Sequence, residues 1–214
     1  MIRLHHVPQA RSFRVLWAFQ ELGLPHAVVR HSFLDRSLRD PAYLALSPAG
    51  RVPALEIDGR ALFESGAILQ YLAGREGRLG APPAEQPEWL EWIHFAETIA
   101  AHVANLTQQH IVLREDRMRS PTVMRLEAQR LARTLRVIED RLAGDHLLAS
   151  GFSMADIAAS YGAMIGRRFV RLGDLPRVAA WLDRLSARPA FVAAQAEDGP
   201  PQIYLKDFHE APDA

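Results

Sequence analysis

The sequence has no cysteine and a single lysine, Lys206, among its 214 residues. Without a thiol there is no disulfide framework, no thiolate zinc site, no iron–sulfur cluster and no cysteine nucleophile. Without an internal lysine there is no Walker A phosphate clamp, no Schiff-base lysine and no kinase-type lysine. A preference for arginine over lysine is what a GC-rich bacterial genome produces. An excess charge is missing too: 25 basic and 25 acidic residues cancel. Nucleic-acid binders carry a basic excess, so none is expected as a partner. No apolar run reaches the roughly 18 residues of a membrane span, and the start lacks a signal-peptide core. The expectation is a soluble, cytoplasmic protein with no membrane partner.

What is present divides at one seam. Gly74 to Pro87 is rich in glycine, proline and charge, and Pro82, Pro83 and Pro87 are expected to lie outside helices. The expected domains are residues 1–76, a linker at 77–87, and an all-helical region at 88–214 with an irregular tail. In the first part, Ile2–Val7 and Ala27–His31 read as strands around a helix over Ser12–Leu22, which Gly23 ends. Pro41–Leu46 reads as one helical turn. Ala54–Ile57 and Ala61–Phe63 flank Asp58-Gly59, a hairpin signal because that turn needs positive φ. Ser65–Leu72 then reads as a helix. The order βαβ then ββα is an α/β, thioredoxin-like arrangement. In the second part, helices are expected over Glu88 to about Arg114, Pro121–Leu142, Leu175–Ala187 and Pro189–Ala196. Another begins at Ser153-Met154-Ala155-Asp156, which has the spacing of a capping box with Asp in place of Glu.

These segments, taken in order, resemble the glutathione S-transferase family up to about residue 197. Ser12-Phe13-Arg14-Val15-Leu16-Trp17 with Glu21-Leu22-Gly23-Leu24-Pro25 is similar to the family's first helix and its exit. Ser47-Pro48-Ala49-Gly50-Arg51-Val52-Pro53 is similar to the loop used against glutathione. Leu62-Phe63-Glu64-Ser65-Gly66-Ala67 is similar to the segment that grips the γ-glutamyl end. The Ser153–Ile157 cap and the Trp181–Phe191 stretch resemble the family's buried cap and closing helix.

The resemblance implies a thioredoxin-like first domain, an all-α second domain and glutathione as co-substrate. It implies that Ser65 holds the γ-glutamyl carboxylate and that Glu64 lies near the α-amino group. It also implies a cis Pro53, with the Val52 backbone pairing with the cysteinyl part. Arg51 meets the glycine carboxylate or lies in solvent. The chemistry suits these residue types, since a helix N-terminus offers unpaired N–H donors and partial positive charge to an anion.

The sequence departs from the family where the thiol is activated. Many members carry a Ser, Tyr or Cys at the end of the first strand, and Gln9-Ala10 stands there here. Gln9, Arg11 and Ser12 are the candidates to stabilise the thiolate, with Ser12 equally able to be a helix cap. Second-substrate candidates lie on the long helix after the linker, facing the other domain: His94, Glu97, Ala101, His102 and Asn105. The expected reaction joins glutathione to a small hydrophobic electrophile, in a homodimer. A non-catalytic glutathione or ligand binder, and a glutathione-dependent peroxidase or disulfide reductase, are the alternatives. No metal site is expected. His94, His102 and His110 drift about 80° per step around their helix, and no H-E-x-x-H motif occurs.

Overall fold

A computed structural model describes residues 1–212. They fall into two units, Met1–Gly80 with Ser186–Gln202, and Ala81–Leu185 with the tail from Ile203.

The first unit is built on a four-stranded sheet of order β2-β1-β3-β4, formed by β1 (Arg3–His6), β2 (Ala27–Arg30), β3 (Ala54–Ile57) and β4 (Arg60–Phe63). β1 runs parallel to β2 with Leu4 opposite Val28, and antiparallel to β3 with Leu4 opposite Leu55. β3 and β4 form the hairpin. Asp58 and Gly59 both have positive φ, 51° and 74°, as a two-residue turn that follows strand twist demands. Side chains alternate along β1: His5 meets His31 and Glu56 on one face, and His6 reaches Asp198 on the other.

Helix α1 (Ser12–Leu22) stops at Gly23, whose φ of 68° is the left-handed cap that ends many helices. From Ser12 to Phe19 every α1 residue is buried, so the helix is covered all round. Helix α8 (Pro189–Asp198) supplies part of that cover. Phe191 meets the rings of Trp17 and Phe13 edge-on at 4.9 and 5.3 Å, and Arg188 pairs with Glu21 through two hydrogen bonds. Residues 186–202 therefore belong to the sheet-bearing unit and not to the helices that precede them. Helices α2 (Pro41–Leu46) and α3 (Ser65–Glu76) complete the unit; α3 runs on through Gly74 and ends at Gly77.

The second unit is helical: α4 (Gln86–Thr107), α5 (Pro121–Arg141), α6 (Met154–Gly166) and α7 (Pro176–Ser186). Pro87 was expected outside any helix but lies in the first turn of α4. The missing N–H costs nothing there, because first-turn donors have no partner within the helix. The long helix is also shorter than expected. It gives way after Thr107 to a wider π-type turn over Gln108–Val112 instead of continuing to Arg114. The cap at Ser153 forms: its hydroxyl accepts from the Ala155 N–H, and Asp156 accepts from the Ser153 N–H at 3.0 Å. Asp156 also accepts from the Leu147 N–H and the Trp181 indole, so one fully buried carboxylate ties together a loop and two helices.

Candidate functional site

A cleft on the first unit lies where the β1–α1 turn, the 47–53 loop and the start of α3 meet. Arg11, Ser47, Arg51, Val52, Glu64 and Ser65 line it, with Ala49, Pro53 and Phe63.

The loop is fixed from below. Both Tyr43 and Ser47 donate their hydroxyls to the Arg51 carbonyl, at 2.6 and 2.8 Å. Burial pushes the Tyr43 phenol up to about 12, so it remains a protonated donor across the physiological range. Gly50 holds a φ of 61°, and a Cβ there would meet the Leu38 carbonyl oxygen at 3.0 Å. No other residue fits that turn without displacing backbone. The Val52–Pro53 peptide is cis.

At the far end, Glu64 has a φ of 72° and forms the junction from β4 into α3. Ser65 is the first helical residue of α3. Glu64, not Ser65, occupies the cap position, and no side chain caps the helix. The Ser65 hydroxyl accepts a hydrogen bond from the Arg14 guanidinium at 3.0 Å, and both residues are buried. A hydroxyl that accepts from arginine keeps its own O–H to donate. The start of α3 therefore offers an anion the first-turn N–H groups, one hydroxyl, and a cation close behind it.

The three thiolate candidates separate. Arg11 lines the cleft. Ser12 is fully buried, and its hydroxyl is engaged with the N–H and carbonyl of Val7, both at 3.3 Å. It neither lines the cleft nor caps α1. The Gln9 N–H donates to Asp198, and its side-chain oxygen accepts from the Gln202 N–H. Ala10 packs against the apolar cluster of Val7, Leu38, Tyr43, Val52 and Ala54, so this position of the turn carries a methyl and no side-chain donor.

The remaining candidates lie on α4, in the second unit. His94 and Ala101 are exposed and Glu97 is half-buried. His102 and Asn105 bind the buried carboxylate of Glu127 at 2.8 and 3.1 Å, and Arg130 adds a third contact at 2.6 Å. Burial alone would push Glu127 up, but these hydrogen bonds outweigh it and hold the carboxyl below its usual range. No helix among the described residues is long and apolar enough to cross a membrane. No group of three or more His, Asp or Glu among them is placed to hold a metal ion.

Sequence reasoning gave no role to Arg14, Tyr43 or Asp198, and none to Ser47 beyond its place in the loop. Arg14 left one trace: it is a charged residue inside the otherwise apolar pattern of α1.

Fold and cleft define a thioredoxin-like unit joined to a helical unit, with a cleft on the first that offers hydrogen-bond donors and positive charge. Residues 1–74 match the family model of the glutathione S-transferase N-terminal domain. Glutathione S-transferase 3 of Zea mays is 31% identical, over 89% of this chain and 91% of that protein. Glutathione S-transferase 3 of Schizosaccharomyces pombe is 28% identical, over 92% and 89%. A glutathione transferase from Burkholderia graminis, crystallised with two glutathione molecules bound per subunit, has a TM-score of 0.84 and 28% identity, covering 91% of this chain and 87% of that one. The chain belongs to the glutathione S-transferase family and is an enzyme of it.

Proposed function

We propose that the protein binds glutathione in the cleft, stabilises its thiolate and transfers it to small apolar electrophiles. The observation that carries this is the convergence of Ser65, Val52 and Arg11 on one cleft. The γ-glutamyl carboxylate sits at the start of α3 on Ser65, with the Arg14 cation behind it, and Glu64 faces the α-amino group. The cysteinyl backbone pairs with Val52 as an added strand would. Arg51 meets the glycine carboxylate. The thiol then lies toward the β1–α1 turn, where Arg11 supplies positive charge to the thiolate. A thiol titrates near 8.5 unassisted, and each unit of depression yields up to about tenfold more nucleophile. Ser12 acts indirectly, by fixing the turn through Val7. His102 and Asn105 serve by anchoring Glu127. The working form is a cytoplasmic homodimer.

A second reading has its own support. Two structural relatives, from Burkholderia graminis and Pseudomonas fluorescens, at 28% and 27% identity, were crystallised with two glutathione molecules. In glutathione-dependent disulfide reduction, the bound thiolate attacks one sulfur of a disulfide and the other sulfur leaves as a thiolate. This chain has no cysteine, so every sulfur in that exchange would come from ligands.

The test is a thermal shift with glutathione, run beside turnover of 1-chloro-2,4-dinitrobenzene and of 2-hydroxyethyl disulfide. A shift with dinitrobenzene turnover supports transfer, and turnover of the disulfide alone supports the second reading. A shift with neither leaves a binding protein. No shift at millimolar glutathione overturns the assignment of the cleft.

A further inference from the structure

Asp198 is the last residue of α8 and is buried, with 8% of its surface exposed. A carboxylate at a helix C-terminus opposes the dipole, so α8 gains nothing from an acid there. Its contacts explain it. The Gln9 N–H donates to both carboxylate oxygens, at 3.1 and 3.4 Å, and the fully buried His6 lies 3.2 Å from one of them. The Asp198 carbonyl takes Arg30 at 2.9 Å and His6 at 3.1 Å. The chain then turns at Gly199, with a φ of 101°, packed where a Cβ would lie 3.3 Å from Arg30 and 3.4 Å from Pro8. Three residues on, the Gln202 N–H donates to the Gln9 side chain at 3.0 Å. The end of α8 and the segment after it thus hold Gln9 by its backbone and by its side chain.

Gln9 needs holding. Its φ of 60° is the left-handed region, which a residue with a Cβ disfavours. The peptide after it leads directly to Ala10, packed against the cluster that includes Val52, and to Arg11 in the cleft.

We propose that Asp198 is a positioning residue for the bound thiol: it locks Gln9 in its left-handed conformation and so fixes the turn that presents Arg11 to the cleft. This rests on the thiolate reading given above. Asp198 does not line the cleft, and its link to the residues that do runs through Gln9.

The test measures kcat and the KM for glutathione in conjugation, the melting temperature, and the pH titration of the bound thiolate's ultraviolet absorbance. Asp198→Ala is expected to lower kcat about tenfold and to raise the thiol titration by about one unit, with KM within about twofold. Asp198→Asn keeps an acceptor oxygen for Gln9 and is expected to stay within about threefold of the native enzyme. An alanine variant with unchanged kcat and thiol titration overturns the proposal. So does a loss carried by KM or melting temperature while the thiol titration stays put, since that is a merely structural effect. If the alanine variant does not fold, Gln202→Pro removes the second anchor's N–H, together with the side chain that accepts from the Ser32 hydroxyl, and leaves Asp198 in place. It is expected to shift the titration in the same direction by less, and no shift overturns the proposal. The two readings fail separately. A native enzyme whose bound glutathione titrates as in solution refutes the thiolate reading, and the positioning role with it. Equal depression in native and alanine enzymes refutes the role of Asp198 alone.

Discussion

Ser65 and Ala10 stand by the γ-glutamyl carboxylate and the thiol of the proposed ligand, and each supports a distinct expectation. In the proposed complex the Ser65 hydroxyl, which accepts from Arg14, would donate to an anion whose charge does not change during reaction. Ser65→Ala is therefore expected to raise the KM for glutathione about tenfold, or about 1.4 kcal/mol, with kcat nearly unchanged. Initial-rate kinetics at varied glutathione separate the two constants. Ala10 is the opposite case. Its methyl sits in the cluster with Val52, where the turn offers no hydroxyl. Ala10→Ser adds one and is expected to raise kcat for dinitrobenzene conjugation by up to about tenfold through a lower thiol titration. An unchanged kcat would place the sulfur elsewhere.

The elements that were legible in the sequence are those whose cause is local. The Asp58-Gly59 hairpin, the Gly23 stop and the Ser153–Asp156 cap each follow from residues within a few positions, and all three form. The Ser65 anchor was half legible. The start of α3 could be read, but the Arg14 guanidinium behind it is 51 residues away in sequence. The β1–α1 turn was least legible, because its conformation depends on Asp198 and Gln202, which lie 189 and 193 residues from Gln9. Ser12 misled for the same reason: its hydroxyl is a plausible donor in sequence and is taken by Val7 in space. At the start of α6 the local cap has become a junction. Asp156→Ala would orphan the Ser153 and Leu147 N–H groups and the Trp181 indole at once. It is expected to destabilise the protein by about 3 kcal/mol, read as a lower urea midpoint with little change in slope.

Across the whole molecule, several half-buried histidines are kept neutral. Burial pushes His110 down to about 4, and it also lowers His31 and His209. Each folded value lies below the unfolded one, so the unfolded chain binds more protons as the medium becomes acidic. The stability these groups contribute is complete above about pH 6.5 and is lost as pH falls toward about 4. His110 packs against Phe169 and His209, so His110→Phe keeps an aromatic ring there without a titrating group. It is expected to flatten the fall of melting temperature between pH 6.5 and 4, and an unchanged slope would assign the acid sensitivity to other groups.

The return of residues 186–202 to the first unit also sets an order of synthesis. A ribosome making this chain releases Phe13 and Trp17 early and their cover, Phe191, only near the end. Until then the nascent first unit carries two partly uncovered aromatic rings and a Gln9 that lacks its anchors at Asp198 and Gln202, while residues 81–185 are still being added. Domains usually fold as they emerge, but this one has to wait for its own last helix. Chains that stall after Leu185 are expected to aggregate or to be cleaved near α1, and pulse proteolysis of arrested chains would show whether α8 closes that window.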